Sequence, residues 1–114
     1  MTSEIFSEIY NKALDIISRR EHSEFELKQK LKKKYDSIEE LNKVLTRLKK
    51  NNLLNDRRFS EAYVIYRKRK GFGPMKISHE LESKGIIEAI ISEVLDCEGG
   101  WKETAQKAFM KKFK

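Results

Sequence analysis

The sequence predicts an all-α protein built as tandem three-helix repeats, two complete units followed by the first helix of a third. Three observations carry this. The stretch Ser18–Leu31 recurs in altered form fifty residues on. With Leu27 set over Ile77 and Leu31 over Leu81, Arg19-Arg20 falls over Arg69-Lys70 and Ser23-Glu24 over Gly73-Pro74. Apolar residues return at three- and four-residue spacings along most of the chain. The single proline and five glycines fall where helices could start or stop, and no segment carries strand signals. Stacked repeats of this kind expose long continuous surfaces, which suit docking on a polymer better than building a catalytic pocket.

The first repeat is expected over residues 1–54. Ile5, Phe6, Ile9, Ala13, Ile16 and Ile17 lie on one face of a helix over 3–19. Glu21-His22 turn the chain. Ser23 followed by Glu26 forms a capping box and opens a second helix that runs to about Tyr35, with Leu27 and Leu31 facing inward. Ser37 and Glu40 repeat that signature. They open a third helix with the stripe Ile38, Leu41, Val44, Leu45 and Leu48, and Asn51-Asn52 stop it.

The second repeat is expected over 55–100. Asn55 or Asp56 caps a fourth helix whose apolar face reads Phe59, Ala62, Tyr63 and Tyr66. It ends in Arg67-Lys68-Arg69-Lys70, where cations complement the negative end of the helix dipole. Gly71-Phe72-Gly73 make the turn, and Pro74 takes a first helical position, where its missing amide is harmless. The fifth helix carries Ile77 and Leu81 and stops at Lys84-Gly85. The sixth carries Ile87, Ile90, Ile91, Val94 and Leu95 and ends before Gly99-Gly100. A seventh helix over 101–114, with Trp101, Ala105, Ala108 and Phe109 apolar, opens a third repeat that is not completed by Lys114.

At 39% apolar and 38% charged, a chain of 114 residues has room for a thin helical core and little more. No apolar run approaches the ~20 residues of a membrane span, and the acidic, amphipathic N-terminus does not read as a signal peptide. Cys97 is alone, so no internal disulfide forms and a reducing, cytoplasmic setting is expected. The +7 net charge is unevenly spread. Residues 1–54 hold 12 basic against 9 acidic side chains, residues 55–100 hold 8 of each, and residues 101–114 hold 5 against 1. Such an excess attracts polyanions, yet it is modest for a dedicated DNA-binding protein and equally suits docking on a nucleoprotein surface.

Lys28, Lys30, Lys32, Lys33 and Lys34 cover the solvent side of the second helix, either as a solvated face or as a polyanion contact. Arg67–Lys70 and Lys76 form a second basic patch. Tyr63, Tyr66 and Phe72 lie beside it; aromatics among cations can stack single-stranded bases, but Tyr63 and Tyr66 are expected in the core. Phe72 is the better candidate for an exposed ring, or for a plug between the fourth and fifth helices. His22 reads as structural. His22, His79 and Cys97 match no zinc spacing, Gly71-Phe72-Gly73 lacks the rest of a phosphate loop, and no paired carboxylates stand out. The sequence therefore predicts no enzyme, no cofactor and no metal site.

Three segments, S-R-R-E-H-S-E-F-E-L-K-Q-K-L, L-L-N-D-R-R-F-S-E-A-Y and G-F-G-P-M-K-I-S-H-E-L-E-S-K-G-I, resemble the successive signatures of the RecX family of bacterial regulatory proteins. The resemblance covers residues 8–113. It implies an array of three-helix repeats and a protein that binds the RecA recombinase filament on DNA, inhibiting or modulating its ATPase, strand-exchange and co-protease activities in DNA repair and the SOS response. Single- or double-stranded DNA would be a weak second partner, and the protein would act as a monomer. The first signature falls on Arg19, Arg20, Glu21, His22, Ser23, Glu26, Leu27, Lys30 and Leu31. The second falls on Leu54, Asp56, Phe59 and Ala62, and the third on Gly73, Pro74, Ile77, Leu81, Lys84, Gly85 and Ile86. Family members continue through a full third repeat, whereas this chain ends after the first helix of one.

Most of these positions are explained by fold. The cations Arg19, Arg20, Lys28, Lys30, Lys33, Arg67, Arg69, Lys70, Lys76 and Lys84 are the expected contacts to RecA carboxylates or DNA phosphates. The rival readings are a helix-turn-helix module that reads duplex sequence and a helical scaffold with no nucleic-acid role.

Overall fold

The computed structural model describes residues 4–101, and the expected seventh helix with Ala105, Ala108, Phe109 and Phe113 lies outside them. The described residues form six α-helices and no strand: α1 (Glu4–Ile17), α2 (Glu24–Lys32), α3 (Ile38–Lys50), α4 (Asp56–Arg69), α5 (Pro74–Ser83) and α6 (Glu88–Glu98). They fall into two compact units, Met1–Asp56 and Arg57–Lys114.

The first unit closes around Ile9 and Ala13 of α1, Leu27 and Leu31 of α2, and Leu41, Val44, Leu45 and Leu48 of α3, with Tyr35 and Leu54 completing the core. Ser23 caps α2 as the sequence predicts. Its hydroxyl accepts the Glu26 amide at 3.1 Å, and the Glu26 carboxylate takes the Ser23 amide at 3.2 Å. A third acceptor comes from 32 residues away, where Asp56 Oδ1 receives the Glu24 amide at 2.8 Å. Asp56 is thus the first residue of α4 and also an acceptor for the start of α2. Helix α2 is shorter than expected. It ends at Lys32 because the chain tightens at Lys33-Lys34 to tuck Tyr35 under the core, where the ring is 8% exposed.

The second unit packs Phe59 and Val64 of α4, Ile77 and Leu81 of α5, and Ile86, Ile91 and Val94, with Tyr63, Phe72, Ile90, Leu95 and Trp101 against them. Three helix ends share one device. Asn52, Gly71 and Gly85 take left-handed backbone (φ +57°, +93° and +80°). The next residue's amide then bonds back five positions: Leu53 to Leu48, Phe72 to Arg67 and Ile86 to Leu81. At α5 the register of the repeat is exact at the cap. Gly73 (φ −84°, ψ 172°) takes the extended cap backbone of Ser23 (φ −75°, ψ 158°), and Pro74 has no amide to satisfy where Glu24 needed Asp56.

Three expected stripes are corrected. On α4 the inward face is Phe59, Ser60, Tyr63 and Val64; Ala62 and Tyr66 face solvent, Tyr66 at 53% exposure. Ile38 and Ile87 sit at the openings of α3 and α6 and are exposed, because one precedes the first inward turn and the other is the cap residue itself. Ile86 is the residue that enters the core in place of Ile87.

Candidate functional site

The ten cations expected to bind a partner divide according to what the fold already does with them. In the first unit, the exposed Arg19 pairs with Asp15 at 3.3 Å, one turn back on the same helix. Arg20 is tied more firmly, with one guanidinium nitrogen on the Glu21 carbonyl at 2.8 Å and both on the Glu26 carboxylate at 3.1 and 3.4 Å. Lys30 is exposed, but its ammonium reaches the His22 ring. The His22 ring is 2% exposed, and its Nδ1 lies 2.9 Å from the Arg20 carbonyl. A carbonyl only accepts, so Nδ1 carries the proton, and Nε2 is left to accept from the Lys30 ammonium at 2.8 Å. Burial holds the imidazole below its ordinary pKa, and the Arg20 and Lys30 charges act the same way. Burial and the neighbouring Arg20 likewise lower that of Lys30. His22 is therefore a neutral structural residue, as the sequence suggested. The Lys28 and Lys33 side chains make no hydrogen bond or ion pair among the described residues, so neither ammonium is neutralised within the unit.

In the second unit, Arg67 is committed within the fold. Its Nε and Nη2 donate to the two oxygens of Glu80 at 2.9 and 2.8 Å, and the Tyr63 hydroxyl donates to the same carboxylate at 2.9 Å. The guanidinium also lies 3.8 Å from the Phe72 ring centre. Burial pushes the Glu80 carboxyl upward, but the Arg67 and Tyr63 hydrogen bonds together outweigh it and leave the net shift downward. Phe72 is accordingly a plug between the helices, with Lys76 5.1 Å from the same ring. Lys84 lies 5.4 Å from the Tyr63 ring.

Lys68, part of the basic run at the end of α4, is used by the fold. It donates to Glu98 at 3.1 Å and the Gly99 carbonyl at 2.6 Å, 5.2 Å from the Trp101 ring. Arg69 is exposed and makes no ion pair among the described residues. Lys70 stands 4.8 Å from the exposed Tyr66 ring, and its hydrogen bond and charge lower the phenol's pKa. Tyr66, weighed in the sequence as a stacking ring but expected in the core, lies instead on the surface. The signal was present in Val64, which competes for the inward position two residues earlier.

The α3 cations that a duplex reader would present are engaged elsewhere. Lys43 pairs with Glu39 and Glu40, Lys49 reaches Glu24 at 3.2 Å, and Arg47 lies over the Phe6 ring. No group of three or more His, Cys, Asp or Glu side chains among the described residues could hold a metal ion, and none of these helices is long and apolar enough to cross a membrane.

Two family descriptions match, RecX first three-helix domain over residues 10–48 and RecX second three-helix domain over residues 55–95. The chain is 43% identical over 106 residues to the regulatory protein RecX of Haemophilus influenzae strain PittEE, covering 91% of this chain and 70% of that protein. It is 36% identical over 102 residues to that of Pseudomonas syringae pv. tomato, covering 89% and 66%. A crystal structure of regulatory protein RecX superposes with a TM-score of 0.83 at 25% identity, over 94% of this chain and 52% of that one. RecX from Lactobacillus salivarius gives 0.80 at 24% identity, over 90% and 66%. The chain thus spans about half the length of the first of these solved chains. It belongs to the RecX family of regulatory proteins.

Proposed function

We propose that this chain is a non-enzymatic cytoplasmic regulator that binds the RecA recombinase filament on DNA as a monomer and restrains its ATPase, recombinase and co-protease activities. Family membership supports the regulatory role. The observation that carries the binding mode is the set of charges left unneutralised within each unit, Lys28 on α2 and Lys33 at its C-cap, and Arg69 with Lys70 at the end of α4. Solvent-exposed contacts of this kind contribute on the order of 0–1 kcal/mol each, so several must act together and the interaction must weaken steeply with salt. Arg19, Arg20, Lys30, Lys76 and Lys84 then serve as secondary contacts, while Arg67 acts by holding the second unit together. The repeat boundaries at 54 and 100 belong to the same reading.

The test is titration of this chain into RecA filaments on single-stranded DNA while ATP hydrolysis is followed at two salt concentrations. Slowing at stoichiometric amounts that fades with salt supports the proposal. Unchanged hydrolysis at both salts refutes it.

A further inference from the structure

The outer face of α4 has a composition that packing does not explain. Its inner side supplies Phe59, Ser60, Tyr63 and Val64 to the unit. Its outer side presents Ile65 at 38% and Tyr66 at 53% exposure, next to the small exposed Ala62, with Arg69 and Lys70 one turn on. A large ring left in water on a rigid helix, with cations three and four residues away, is the arrangement by which single-stranded nucleic acid is held. The base stacks on the ring, and the cations take the flanking phosphates. The other rings near this end of the helix, Tyr63 and Phe72, are only half-exposed and are used within the unit. Phe72 already carries the Arg67 guanidinium at 3.8 Å, and the Tyr63 hydroxyl is bound to Glu80. Charge favours a polyanion as the partner. Arg69 has no carboxylate partner among the described residues, and Lys70 leans on the Tyr66 ring rather than on an acid, so both can turn to a polyanion without breaking an ion pair.

We infer that this face of α4 is a stacking subsite for single-stranded nucleic acid, with Tyr66 as the base platform and Arg69 and Lys70 as phosphate contacts. The inference rests on the regulatory reading above and deepens it, assigning the second unit a direct grip on an unpaired strand. A duplex keeps its bases stacked inside, so the ring should discriminate single strands from duplex.

The experiment uses the full chain and fluorescence anisotropy with a labelled oligothymidylate of about 15 nucleotides, an abasic strand with the same number of phosphates, and a duplex. Tyr66→Ala should weaken oligothymidylate binding roughly 5- to 150-fold and leave abasic and duplex binding unchanged. Tyr66→Phe should stay within about twofold of the parent, since stacking needs the π-face and not the hydroxyl. Replacing Arg69 and Lys70 by alanine should flatten the salt dependence by about 1.4 in slope, two contacts at about 0.7 each.

Oligothymidylate affinity unchanged in Tyr66→Ala overturns the inference, as does an equal loss on the abasic strand. A Tyr66→Ala chain with parental strand affinity but weakened slowing of RecA filaments assigns the face to a protein surface instead. That result sinks the stacking site while leaving the regulatory function standing. Far-ultraviolet circular dichroism and Trp101 fluorescence establish that each variant is folded.

Discussion

Glu80→Ala should unfold the second unit early and leave the first alone. Three charge-assisted hydrogen bonds converge on this carboxylate, two from Arg67 and one from Tyr63, at 2.8–2.9 Å. Fully buried, each would be worth about 1.5–3 kcal/mol. The Arg67 and Glu80 side chains retain 18% and 24% of their exposure, so water replaces part of what is lost and the expected net cost is about 2 kcal/mol. Arg67→Ala should cost somewhat more, because it also removes the guanidinium from the Phe72 ring, worth about 0.5–1 kcal/mol at a partly exposed site. Trp101 is the sole tryptophan, packs against this core and donates its indole N–H to Leu95 at 3.0 Å, so its fluorescence reports on the second unit. In urea a 2 kcal/mol loss moves the midpoint by roughly 1–2 M for so small a unit. The double variant should show a coupling of about 1–2 kcal/mol. Coupling below about 0.5 kcal/mol would mean that the network is decorative and that Arg67 is free to serve a partner after all. Because the Glu80 pKa is depressed in the fold, its contribution is present above the ordinary carboxyl value of 4.5 and disappears as pH falls through the lower folded value.

Other perturbations separate the two units in the same manner. The buried His22 imidazole is harder to protonate folded than unfolded, so the first unit should be fully stable above pH 6.5 and weaken as pH drops below it. A His22→Gln chain should lose that slope, and equal slopes by hydrogen exchange on α2 at pH 7.5 and 5.5 would count against the neutral tautomer. Asp56→Ala strands the Glu24 amide and should cost about 1–2 kcal/mol, read as faster exchange at the first turn of α2, with α5 unaffected. Gly85→Ala forces a side chain into φ +80° and should destabilise the second unit by about 1 kcal/mol in the same Trp101 assay.

The six helices of the described residues, the caps at Ser23 and Ser37, the turns at Asn52, Gly71 and Gly85, and the paired core positions Leu27/Ile77 and Leu31/Leu81 were legible because each follows from spacing and local backbone chemistry. The inward face of α4 was not. Ser60 is fully buried and Arg67 is mostly so, and a search for apolar periodicity passes over both. It then fills the stripe with Ala62 and Tyr66, which are on the wrong side. The same blindness affected the cations. Sequence spacing cannot tell Arg67, held by Glu80 thirteen residues on, from Arg69, which makes no ion pair among the described residues, since only folding brings the carboxylate near. The stop at Lys32 was missed because Tyr35 is a core residue placed beyond the helix.

The repeat makes a further point about how a binding surface can diverge while a core is kept. At the fifty-residue offset, Leu27 and Leu31 become Ile77 and Leu81, all buried, so the packing is preserved. The polar positions beside them are exchanged in charge, Glu26 for Lys76 and Lys30 for Glu80, and the buried His22 becomes the Phe72 plug. Arg20 therefore has a carboxylate, Glu26, where Lys70 of the second unit faces a lysine position. Lys28, Lys30, Lys32 and Lys33 likewise have serine or glutamate at 78, 80, 82 and 83 as their counterparts, and only Lys34 is matched by a lysine, Lys84. The two units thus do not carry copies of one cationic patch. The first offers lysines along its second helix, and the second offers Arg69, Lys70 and the Tyr66 ring at the end of its first. On the proposed reading, the first unit would hold a polyanion by charge alone and the second by charge with stacking. Substitutions at Lys28 and Lys33 should then change salt dependence without changing the preference for single strands, whereas Tyr66 should change the preference without changing the salt dependence.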